Sequence, residues 1–299
     1  MTFNQNNFVA NDLVNNANRL TLESLKPAEP YPIELSNYPN LNKEIIEESG
    51  LLYGYDLGII GGLINLPKFQ NEFGNIKLDN LRNTISDLYI GIIVGSSCIG
   101  GAIGSLCTIY IVPLFGIKMS IVIPCFIYLI GGIICITSDT KWVQFIIGRF
   151  FIGICLGIIS VTCPMLISEI SPTHIRGTLI SIHQLMITIG ILLGGVILYY
   201  VNDNLTSEWQ YKLPILIGCL ISVVCFTVIN AVPESPYWWI LYRENISNAK
   251  ITIAKCNKIK NINDERILKI IREIIELRND IMMKSNSNKI RILFQLYLD

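Results

Sequence analysis

The chain has 299 residues, 51% of them hydrophobic and only 15% charged, with a mean hydropathy of +0.49, too few polar groups to cover a soluble globule of that size. Its formal net charge is zero and its pI about 6.7, so it offers no basic field to a nucleic acid. Charge-poor runs of about 20 residues or more place it in a lipid bilayer and exclude a soluble enzyme.

Residues 1–42 hold ten Asn and four Pro with little apolar periodicity. Such a composition buries too little surface to offset its ordering entropy, which predicts a disordered cytosolic tail. The tail has no apolar segment long enough for a cleavable signal peptide, so insertion is expected to begin with the first membrane helix. That helix is read at 51–66, sixteen residues, short of the roughly 20 that cross about 30 Å of hydrocarbon. Ahead of it stands Asn42-Lys43-Glu44-Ile-Ile-Glu47-Glu48, a charged stretch expensive in lipid, which predicts a first helix cut short at its N-terminal end. Asp56 lies within the segment; an acid there faces a cavity or a partner, or sits near the interface of a short helix.

An outer loop to Asp87 leads into apolar runs at 88–117, 119–138, 142–168, 177–202 and 213–232. Six crossings return the chain to its starting side, and twelve of the 23 Lys and Arg follow Pro233, so the positive-inside bias predicts both termini in the cytosol. Asn204-Leu-Thr206 is then a glycosylation sequon on the outer loop 203–212, whereas Asn245-Ile-Ser247 is cytosolic and silent. Glycines recur at i and i+4: Gly58 with Gly62, Gly91 with Gly95, Gly100 with Gly104, Gly153 with Gly157 and Gly190 with Gly194. In lipid such pairs let backbones approach, forming the seams of a compact bundle or of a homodimer. Eight of the nine cysteines lie in the apolar runs without a CxxC pair or an adjacent His. They read as small packing residues, with no metal and no cofactor expected. Past Pro233, the stretch 264–281 sets Ile267, Ile270, Ile271, Ile274 and Ile281 on one side at helical spacing, a helix packed in the cytosol or lying on the membrane surface.

The runs also carry ordered motifs: Gly54-Tyr-Asp56; Gly148-Arg149; Pro164-Met-Leu-Ile-Ser-Glu169-Ile-Ser-Pro172; Arg176-Gly177-Thr-Leu; Gln184-Leu-Met-Ile-Thr-Ile-Gly190; and Pro233-Glu-Ser-Pro236. Together they resemble the sugar porter family of the major facilitator superfamily, and the fungal hexose transporters in particular, over roughly Tyr53 to the end of the chain. The resemblance implies an all-α fold: the six-helix N-terminal bundle of a major facilitator over 43–232, followed by a cytosolic helical tail over 233–299.

What the resemblance implies about function concerns three groups of residues. Gln184, Ile187 and Ile191 share one face of the fifth membrane helix and match residues of the family's sugar site. An amide beside aliphatic side chains suits the hydroxyls and ring of a hexose, although Gln184 could instead hydrogen-bond a neighbouring helix. Asp56 and Arg149 match a pair that ties transport to protons in the family's symporters, while fungal facilitators retain the acid without coupling. Glu169, Arg176 and Glu234 match an inner gate of charges. Departures accompany them: the family's Asp-x-x-Gly-Arg-Arg reads Pro113-Leu-Phe-Gly116-Ile117-Lys118, the Arg after Pro-Glu-Ser-Pro is Tyr237, and the Arg after the Trp opening helix six is Gln210. Losing these charges is expected to alter the gate. The chain stops where a seventh helix would begin, so the expectation is hexose transport at the plasma membrane, proton-coupled or not, completed by a second half in trans or by a homodimer. The rival is a non-transporting membrane protein: a sensor, a partner of a full-length transporter, or a remnant.

Overall fold

The computed structural model describes residues 40–74, 76–79, 82–138, 141–170, 176–231, 234–256 and 264–284. Helix α1 spans Asn40–Leu63, α2 Pro67–Phe73, α3 Asp87–Phe115, α4 Met119–Ile136, α5 Trp142–Ile170, α6 Arg176–Asn204 and α7 Trp209–Ala231. Three further helices, α8 (Pro236–Leu241), α9 (Ile246–Cys256) and α10 (Glu265–Lys284), form the tail. Between α2 and α3 the antiparallel strands β1 (Ile76–Asp79) and β2 (Arg82–Thr84) pair Ile76 with Thr84, a short hairpin inside what was expected to be a plain loop. The two ends of the bundle are called here the hairpin end and the tail end.

By length and composition α3, α4, α5, α6 and α7 can each cross a membrane. Helix α1 is longer than the sequence reading: it runs back through Glu44, Glu47 and Glu48 to Asn40. Lys and Glu are good helix formers, so these charged turns extend the helix at the tail end, ahead of the buried stripe Leu52, Tyr55, Ile59 and Leu63. The expected tail boundary therefore moves, since Asn40, Leu41 and Asn42 are helical; the rest of the expected disordered tail, 1–39, lies outside the described residues. At its other end α1 stops at Leu63 rather than Leu66, because Pro67 pushes Leu66 into extended backbone (φ −64°, ψ 133°). Helices α6 and α7 reach Asn204 and Trp209, which shortens the expected loop 203–212.

The helices pack as two interleaved triplets: α1 lies on α6 as α5 lies on α3, and α4 on α5 as α7 on α1, the pattern of a repeat of three helices. Glycine makes the seams possible. A Cβ on Gly54 would lie 1.9 Å from the Ile187 carbonyl oxygen, and one on Gly157 would lie 2.1 Å from that of Gly101. Gly100, Gly104, Gly153, Gly190 and Gly194 also meet backbone of a facing helix. The pair Gly91 and Gly95 differs: nothing lies within 4 Å of either, so this expected pair forms no seam within the described chain. Helix α5 is the centre, with 61% of its apolar window buried, against 22% for α3 and α6. The latter two leave most of their apolar surface to lipid or to another protein.

In the tail, Ile267, Ile271 and Ile274 of α10 are buried with Ile240 of α8 and Ile253 of α9. The apolar face of α10 is covered by its own neighbours, which favours the packed alternative over a membrane-surface helix. Ile281 is a position whose side chain lies outside the description.

Candidate functional site

Asp56 on α1 and Arg149 on α5 meet in the interior. Arg149 Nη1 donates to Asp56 Oδ1 at 2.8 Å, with the two side chains 1% and 3% exposed. The same oxygen receives the Tyr128 hydroxyl of α4 at 3.4 Å, and the guanidinium lies 5.7 Å from the centre of the Phe145 ring. Arg149 Nε and Nη2 have no acceptor among the described residues. Nearby, the Tyr55 hydroxyl donates to the Pro214 carbonyl of α7 at 2.8 Å. In a charge pair this deep the mutual attraction offsets part of each ion's desolvation penalty, and losing either partner would leave a bare buried charge. The interface alternative for Asp56 does not describe this geometry.

Gln184 and Ile191 are exposed on α6, with Ile187 half-buried between them and its backbone against Gly54. The Gln184 amide makes no interhelical hydrogen bond among the described residues. His183, one residue earlier, is turned inward, 3.6 Å from Cys163 Sγ, and that sulfur lies 2.9 Å from Ser49 Oγ. Thus α6 has a buried face that fixes it to α1 and α5, and an open face carrying an amide among aliphatic groups.

At the tail end the Ser235 hydroxyl donates to Glu169 Oε2. Glu234 Oε1 accepts the backbone N–H groups of Lys118 at 3.0 Å and Ser235 at 3.1 Å. Gly116 makes this possible: its φ of 93° is a left-handed conformation, and a Cβ there would come within 2.5 Å of the Glu234 carboxylate. Burial pushes the Glu234 carboxyl above its usual range, opposed by the N–H groups of Lys118, Ser235 and Ile117. Burial, and then the charge of Glu169, raise the Tyr242 phenol. No hydrogen bond or ion pair among the described residues joins Arg176 to either acid. Where the motif lost its charges, contacts to backbone carbonyls stand: Trp238 Nε1 donates to the Pro113 carbonyl at 3.4 Å and Arg243 Nη2 to the Leu114 carbonyl at 3.2 Å. Sequence reasoning missed the contacts of Lys118 and Arg243 because each involves a backbone group, which no side-chain motif records, and that of Ser235 because its hydroxyl meets Glu169 only once two distant stretches have packed. It also grouped Gln210 with the gate. Gln210 lies at the opposite, hairpin end, where its Oε1 accepts the Lys68 backbone N–H at 3.1 Å.

No group of three metal-ligating side chains occurs among the described residues. Compared with known proteins, residues 45–296 match the family described as "Sugar (and other) transporter". Hexose transporter HXT13 of Saccharomyces cerevisiae is 37% identical over 231 residues, which are 77% of this chain and 40% of that protein. Hexose transporter 2 of Kluyveromyces lactis is 39% identical over 210 residues, covering 70% of this chain and 37% of the relative. The chain thus spans about two-fifths of the length of the curated relatives it matches. Among solved structures, the proton:xylose symporter XylE bound to 6-bromo-6-deoxy-D-glucose superposes with a TM-score of 0.71 at 22% identity, covering 84% of this chain and 57% of that one. A D-xylose-proton symporter gives 0.60 at 26% identity, with 68% and 50% covered.

Proposed function

This chain belongs to the sugar transporter family, and from that membership we propose that its six-helix bundle supplies one wall of a path for a hexose across the plasma membrane. The observation that carries the reading is the open edge of α6 beside its seam with α1, where Gln184 and Ile191 are exposed and Ile187 is half-buried between them. One wall cannot enclose most of a small sugar. A second six-helix unit completes the path, whether continuous with this sequence, supplied by another polypeptide or by another copy of the chain, because alternating access rocks one bundle against another around a fixed site. Asp56 and Arg149 form the proton-responsive pair behind that wall. Glu169, Glu234 and Arg176 mark the cytosolic gate, with the tail end and both termini in the cytosol and the hairpin end, including Asn204, outside.

Labelled glucose uptake in a cell without hexose carriers of its own tests this. The chain is expressed alone and together with the C-terminal half of a hexose transporter. Little flux is expected from the monomer alone, and saturable uptake with the second half, lost in Gln184→Ala. Absence of saturable uptake in both cases, with the protein present at the membrane, would overturn the transport reading in favour of a non-transporting role such as sensing.

A further inference from the structure

Helices α4 and α7 run antiparallel, and three contacts fix the level at which they meet. Ser222 of α7 donates its hydroxyl to the Cys125 carbonyl of α4 at 3.1 Å. Phe126 and Phe226 pack edge to face, their ring centres 4.8 Å apart. Farther toward the hairpin end, a Cβ on Gly132 would stand 2.3 Å from Cys219 Sγ. Gly132 lies seven residues beyond Cys125, and Cys219 lies six before Cys225, so a single antiparallel register brings all these pairs together. Small side chains let the two helices lie this close.

Within that register a repeated dipeptide faces itself: Cys125-Phe126 on α4 and Cys225-Phe226 on α7. The two thiols are hydrogen-bond partners across the seam. They are 0% and 1% exposed, and both are free. The aromatic pair lies beside them, with Phe126 reaching the outer surface of the bundle. Cys155 of α5 is a third buried thiol in the neighbourhood. Packing alone accounts for one small residue at such a place, but not for two thiols bonded to each other.

We propose that Cys125 and Cys225 are a redox-convertible dithiol, which hydrogen peroxide oxidises to a disulfide that staples α4 to α7. Peroxide is small and uncharged, as a reagent must be to reach groups within a bilayer. The first sulfur attacks one peroxide oxygen; the O–O bond breaks, an S–O bond forms, and the departing hydroxide takes the thiol proton, leaving a sulfenic acid and water. The second sulfur attacks the sulfenic sulfur; the S–S bond forms, the S–O bond breaks, and the hydroxyl leaves with the second thiol proton as another water. Two thiols have lost two electrons, and one peroxide has become two waters. Burial selects the partner in the second step, because a soluble thiol does not reach a sulfenic acid enclosed between helices.

The staple bears on the buried ion pair. Tyr128, one turn after Cys125, donates to Asp56, and the Pro214 carbonyl of α7 accepts from Tyr55, the neighbour of Asp56. Oxidation thus ties together the two helices that supply these contacts. Nothing in the proposal depends on what the chain transports.

Membranes holding the full chain are treated with hydrogen peroxide, the remaining thiols are alkylated on denaturation, and unreduced digests are mapped by mass spectrometry. A peptide containing Cys125 linked to one containing Cys225 is expected, separated again by a phosphine reductant. Cys155→Ser should form the same bridge, and Cys225→Ser should lose it. The bridge closes a loop of 100 residues (225 − 125), so peroxide should raise the melting temperature of the solubilised wild type by about 5 °C and leave that of Cys225→Ser where it was. Cys125 and Cys225 both recovered as alkylated thiols, at a peroxide dose that oxidises the exposed Cys98, would overturn the proposal. So would a link from Cys125 to Cys155, or a Cys125–Cys225 bridge that leaves the melting temperature unchanged.

Discussion

Gly54 of α1 lies so close to Ile187 of α6 that a Cβ on it would stand 1.9 Å from the Ile187 carbonyl oxygen. This contact holds the backbone of the proposed sugar-facing stretch against the helix that carries Asp56, so the seam and the site are one piece of structure. Because the obstacle is backbone, it cannot be relieved by a rotamer change. Gly54→Ala is expected to destabilise the purified protein by about 1–3 kcal/mol, the usual penalty of overpacking. Gly91→Ala, with nothing within 4 Å, should stay within about 0.5 kcal/mol of the parent, as substitutions away from packed features do. Thermal melts in detergent compare the two, and equal melting points would contradict the seam.

Removing one member of the buried ion pair should be worse than removing both. Arg149→Met leaves Asp56 charged and alone in the interior, with an expected loss of about 3–5 kcal/mol. Adding Asp56→Asn should recover much of it, a non-additivity that a double-mutant cycle on folded yield and melting temperature resolves. Additive losses would mean that the pair is not coupled.

Burial raises the Glu234 carboxyl above its ordinary value, so the folded chain holds that proton more tightly than the unfolded chain does. The associated stability is fully present below the unfolded carboxyl pKa and is lost as pH rises through the raised folded value. Melting temperature is therefore expected to fall as pH rises from about 4 toward neutral, where carboxyl groups of this kind titrate. Glu234→Gln should flatten that dependence, and an unchanged profile would refute it.

Asn204 is exposed at the last turn of α6, its Nδ2 donating to the Tyr200 carbonyl at 2.9 Å. With the hairpin end outside, the chain made in a eukaryotic cell should carry a glycan that Asn204→Gln removes, while a reporter fused after Arg243 stays inside. A protease-accessible reporter at the cell surface would sink the six-crossing topology.

The sequence alone carried the membrane class, the five helices long and apolar enough to cross a membrane, the tail helix and the pairing partners Asp56 and Arg149, because these depend on runs of apolar residues and on motifs of side chains. Helical period also placed Gln184, Ile187 and Ile191 on one face without any coordinates. Tertiary structure decided what depends on a facing element. It showed that α1 extends through its charged turns, that Gly91 and Gly95 form no seam, and that Glu234 is held by backbone N–H groups rather than by an arginine. It also moved Gln210 to the hairpin end, where its carbonyl caps α2. Backbone donors, and the distance at which one helix lies on another, leave no mark in the order of residues; they exist only once two distant stretches have packed.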